Sequence, residues 1–182
     1  MVEHHRAYLA GKITKNGWRS GYGDYREHSI MGECSPYEEL VVNEELTITG
    51  PFFIGCDHGC YHGNGGHGVA AREAHDLNDT DKWFDCLGTR KFYTRNDVFE
   101  ICKNQIDKAE IVFAYIDCLD CYGTLAEIGY AYAKGKAVEI FFASPTIKEE
   151  MWFISKMHRR VNYISEPWIA RNLVGEIIKN LF

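Results

Sequence analysis

Apolar residues along this chain fall into two kinds of run. Short unbroken stretches, "RAYLAG" near the start, "AEIVFAYI" in the middle and "AVEIFFA" after it, predict buried strands. "LVVNEELTITG" has strand composition, in part alternating, and runs into Pro51. Between and after these runs the apolar positions recur at helical spacing. Val98, Ile101, Cys102 and Ile106 predict a helix over Thr94 to Asp107. "YGTLAEIGYAYAKG" predicts a second, with Leu125, Ile128, Gly129 and Tyr132 on one stripe and Gly135 as its stop. A third is expected near Ile147 to Met157, followed by a short strand "VNYI" and a last helix from about Pro167 to Leu181. "GCDHGCYHGNGGHGVAA" starts as loop, because five glycines between positions 55 and 66 hold no regular element cheaply.

Strand–helix–strand alternation with short connections implies a parallel sheet with helices on both faces. The expected fold is a Rossmann-like, flavodoxin-like α/β sandwich. No repeat, low-complexity tract or linker divides the 182 residues, so the chain is read as one domain spanning 1–182. Ligands of such sheets bind beyond the carboxyl ends of the strands. Three segments converge there: the loops after "AYLAG" and "LTITG", and "DCLDCYGT".

Charge narrows the function classes. A net charge of -6 with scattered basic residues offers no footprint for a nucleic-acid backbone. No apolar run approaches the roughly 20 residues that span a bilayer, and the N-terminus lacks the layout of a signal peptide. A cytoplasmic protein with no membrane partner is expected. Seven cysteines, an odd number, fit a reducing compartment that keeps most of them as thiols.

One acidic residue in the central motif raises a choice. Thr124-Leu-Ala-Glu127 matches an S/T-x-x-E capping box, in which Glu127 reaches back to the Thr124 amide. Alternatively, Glu127 stands in the first helical turn at the end of a buried strand, where the helix dipole favours its ionised form. A carboxylate so placed suits nucleophilic attack on a sugar C1, through an oxocarbenium-like transition state. A backbone-bonded glutamate is also an oriented one, so both readings stay open.

Two loops carry further candidates. "GPFFIGCDHGCYHGNGGHG" gathers Cys56, Asp57, His58, Cys60, His62 and His67. Thiolates and imidazoles are zinc ligands, but the usual C-x2-C and H-x3-H steps are missing. A substrate loop is preferred, with His58 or His62 donating to a base and Asp57 orienting a histidine or holding a sugar hydroxyl. No metal and no organic cofactor is expected. The first loop carries Lys12, Thr14 and Arg19 among glycines, a set that would cradle a 5′-phosphate or form a solvated polar loop. Trp18 and Tyr22 there would stack on a base or pack locally.

"GTLAEIGYAYAKGK" following "AEIVFAYID", with "RAYLAGKIT" at the start, resembles the nucleoside 2-deoxyribosyltransferase family, which includes related nucleotide N-glycoside hydrolases. The resemblance covers the first strand and roughly residues 97 to 142. It implies that Glu127 is the nucleophile of a covalent deoxyribosyl-enzyme, and that Tyr8 positions it. Beside these, the two loops read above offer Gly11, Lys12, Asp57 and His58 as substrate contacts, and the motif offers Gly123 and Thr124. A family aspartate that handles the base proton falls on Cys102, and another that holds the sugar hydroxyls falls on Cys121; Asp120 stands beside the latter. The resemblance therefore implies a homo-oligomeric transferase acting on nucleosides or nucleotides and free nucleobases. A deoxynucleoside 5′-monophosphate hydrolase is the alternative. The cysteines at two aspartate positions also suit a nucleotide-binding sensor domain without catalysis.

Overall fold

The computed structural model describes residues 3–11, 18–19, 39–50, 83–84, 92–93, 95–159 and 161–181. Six strands form one mixed sheet. Five are parallel: β1 (His5–Gly11), β3 (Leu46–Gly50), β6 (Ile111–Ile116), β7 (Ala137–Phe142) and β8 (Val161–Tyr163). The short β2 (Leu40–Val41) pairs antiparallel with β3, giving the order β2-β3-β1-β6-β7-β8. Two short strands, β4 (Trp83–Phe84) and β5 (Phe92–Tyr93), make a separate antiparallel pair. Taken in chain order, the five parallel strands run 2-1-3-4-5, with the reversal between β1 and β6.

Among the described residues four α-helices connect or follow the strands: α1 (Arg95–Lys108), α2 (Tyr122–Ala133), α3 (Pro145–Glu150) and α4 (Pro167–Leu181). The pleat sorts strand residues into two buried clusters. Tyr8, Ala10, Val112, Ala114, Val138 and Ile140 join Ile106 of α1 and Ile128 of α2. Ala7, Leu9, Ile111, Phe113 and Phe141 join Ala170, Val174 and Ile177 of α4. The central strands are buried along almost their whole length, which fits their largely apolar runs, with Glu139 of β7 the buried charged exception.

Helix ends follow local chemistry. α2 stops in a Schellman motif: Gly135, at φ +71°, donates to Tyr132 O, and Lys136 N to Ala131 O, both at 3.0 Å. Lys136 Nζ then donates to the carbonyls of Asp107 and Ala109, at 2.7 Å each, which caps the end of α1. The helix expected over 147 to 157 is shorter and starts earlier. Ser144 caps it by accepting from Ile147 N, Pro145 fills its first turn, and it ends at Glu150. A 3-10 turn, Ile154–Lys156, follows instead of more α-helix. No helix among the described residues is long and apolar enough to cross a membrane.

Candidate functional site

The site is built where β1, α1 and α2 meet, beside the reversal in strand order. Tyr8, fully buried, lies mid-strand on β1 and projects toward α1 and α2. The β1–β3 register slips between Ala7 and Tyr8, where Ala7 pairs with Ile48 and Tyr8 with Gly50. The extra residue, Thr49, turns its hydroxyl to the carbonyls of Ala7 (3.3 Å) and Gln105 (2.9 Å). Such an irregularity re-aims neighbouring side chains. Gly50 permits it, since an added Cβ there would strike the Gln105 amide group.

Tyr8 Oη donates to Glu127 Oε1 at 2.5 Å. This contact decides against the capping box. α2 begins three residues earlier than that box requires: Cys121 is the N-cap, Thr124 is the third helical residue, and the first turn holds no acid. Glu127 therefore stands in the second turn, with its carboxyl directed to Tyr8 rather than to the helix end. The dipole argument for an ionised carboxylate fails with it. Burial pushes the Glu127 carboxyl up to about 7, against the opposing pull of the Tyr8 hydrogen bond and the Arg19 charge. As a whole residue Glu127 is half-buried, so water reaches it even though enough protein surrounds the carboxyl for desolvation to dominate.

Cys102, on α1, joins this pair. Burial and the Glu127 charge push its thiol up to about 12, while Tyr8 and Arg19 oppose the rise. The Tyr8 phenol is raised well above its ordinary value, first by burial and then by Glu127 and Cys102. At neutral pH the phenol and the thiol thus keep their protons, and Glu127 is the group that changes charge.

Arg19 is the site residue that sequence reasoning misplaced. Instead of facing a ligand from a solvated loop, it is 7% exposed and donates from Nη1 to Leu9 O at 2.9 Å. Its charge acts on Glu127 and Cys102. Nothing in the glycine-flanked segment around it signals an inward turn. Trp18 beside it is equally committed to the interior. Its indole donates to Ala10 O at 3.1 Å and packs on Tyr115 and Phe141, with centroids 6.0 and 6.2 Å away. It packs locally and does not present a face for a base. Gly11 ends β1 against that indole, which a Cβ at this position would strike.

The remaining candidates are spread out. Cys121 is 5% exposed and packs in the core cluster with Tyr8 and Ile128. Thr124 is buried, Gly123 is exposed with open space around its Cα, and Asp120 is exposed in the turn before α2. Asp120 is not among the charges acting on Glu127. Lys12, Thr14, Tyr22, Asp57, His58, His62 and the rest of the Cys56–His67 loop lie outside the described residues. Among the described residues no group of three or more His, Cys, Asp or Glu side chains is placed to hold a metal ion.

No family model and no curated protein matches the chain. Geometry and chemistry therefore carry the functional reading.

Proposed function

We propose that this protein is an N-glycosyl transfer enzyme, a nucleoside 2-deoxyribosyltransferase, built as a single α/β domain with helices on both faces of its sheet. The observation that carries the reading is the Tyr8–Glu127 hydrogen bond: a half-buried carboxyl aimed by a buried phenol beside the strand-order reversal. Capping does not account for that glutamate. A carboxyl near 7 is ionised in good part at neutral pH, and a desolvated carboxylate is the better nucleophile.

In the proposed cycle the free Glu127 oxygen attacks C1′ of a 2′-deoxynucleoside. The C1′–N bond breaks, its electron pair goes to the base, and the base takes up a proton. Tyr8 holds the other carboxyl oxygen throughout and keeps its own proton. A second base then attacks C1′ of the glycosyl-enzyme and releases Glu127. Cys102, with its thiol pushed up to about 12, is a poor source of the proton and serves as a neutral S–H neighbour that orients. Asp120 and the histidine loop are the proposed proton and sugar contacts. The enzyme is proposed to work in the cytoplasm as a homo-oligomer, without metal or organic cofactor.

Incubation with deoxyinosine and free adenine tests this. Deoxyadenosine, together with a deoxyribosyl adduct on the peptide containing Glu127, is the expected result. Release of free sugar alone, or turnover only of 5′-monophosphates, makes the protein a hydrolase. Melting shifts with nucleosides and no turnover make it a binding domain, and the transfer reading falls.

A further inference from the structure

The transfer reading leaves one motif unused. Cys118-Leu-Asp-Cys121 is a C-x-x-C element, and it ends at the N-cap of the 12-residue α2. Residues 119 and 120 form a turn, with the two cysteines at its corners. The corners of such a turn lie within about 7 Å, Cα to Cα, and a disulfide needs roughly 4.4–6.8 Å. Neither cysteine is in a disulfide. Cys118 is half-buried and Cys121 buried, and both pack toward the cluster that holds Tyr8 and Ile128.

We propose that Cys118 and Cys121 form a redox-active dithiol, closed to an intramolecular disulfide by exchange with a low-molecular-weight disulfide such as oxidised glutathione. The more accessible Cys118 attacks one sulfur of the external disulfide and expels one thiolate. Cys121 then attacks the Cys118 sulfur of the mixed disulfide and expels the second. Two thiols are oxidised, one external disulfide is reduced, and the two protons leave on the two released thiols. Cys102 does not compete, because its raised thiol supplies almost no thiolate at neutral pH. Closure would fix the turn that presents Leu119, 53% exposed, and Asp120 ahead of α2. This site does not depend on the transfer reading.

The test uses the reduced full chain, incubated with excess oxidised glutathione, quenched with an alkylating agent, digested and weighed. In the expected result the peptide holding both cysteines loses two hydrogens and takes no alkyl group, and dithiothreitol restores both alkylation sites. Cys121→Ser should accumulate a lasting glutathione adduct on Cys118. The proposal is overturned if the wild-type peptide stays doubly alkylated, if it retains glutathione, or if either cysteine pairs elsewhere. The wild-type arm decides by itself should the variant fail to fold.

Discussion

Tyr8 and Glu127, 119 positions apart in sequence, meet in a hydrogen bond of 2.5 Å that joins the middle of β1 to the second turn of α2. A hydrogen bond to a charged group is worth about 1.5–3 kcal/mol. Tyr8→Phe should therefore slow turnover by roughly 10- to 100-fold and leave the fold intact. Glu127→Ala should lose roughly 10³-fold or more. Steady-state kinetics on both variants provide the check, and full turnover by Glu127→Ala would sink the mechanism.

Under the proposed mechanism turnover should rise with pH through about 7, because Glu127 must be ionised to attack and burial raises its carboxyl from the ordinary 4.5 to about 7. Stability should move the other way. Between these values the folded state binds the proton that the unfolded chain releases. The contribution is fully present below 4.5 and is lost as pH rises through about 7. Melting temperatures across this window should fall for the wild type, and the slope should flatten in Glu127→Gln.

Arg19 opposes the rise on Glu127. Arg19→Met should shift the acidic limb of the rate profile to higher pH, whereas Arg19→Lys keeps the charge and should shift it less. Loss of the donor to Leu9 O adds a stability cost of about 1–3 kcal/mol. A limb that stays in place in Arg19→Met would remove Arg19 from the site.

Trp18→Ala separates packing from base stacking. With its indole 3% exposed against Tyr115 and Phe141, the truncation should cost about 3–5 kcal/mol in denaturant unfolding. KM should change little among molecules that remain folded. A large KM effect with unchanged stability would return Trp18 to the substrate.

The strands were legible because each central one is an almost unbroken apolar run, and α4 because Ala170, Val174, Ile177 and Ile178 repeat at helical spacing. The start of α2 was not. Thr124 and Glu127 fit a capping pattern locally, but the carboxyl satisfies itself on Tyr8, which no local pattern encodes. The crossover after β7 misled for a similar reason. Ser144 and Pro145 set an early start, and the apolar Met151, Trp152 and Phe153 continued a run past the real end, although Trp152 and Phe153 are exposed. Glu127 stood out by its place after a buried strand, whereas Tyr8 was visible as a candidate only through resemblance. Arg19, surrounded by glycines and polar residues, gave no sign that it folds inward.

The second-turn position of Glu127 has an evolutionary consequence. Helix ends fray, and the residues just ahead of them tolerate change. A carboxyl set one turn inside α2 and tethered to a strand is insulated from that wear. The exposed Asp117, Leu119 and Asp120 can change without moving the carboxyl that Tyr8 holds.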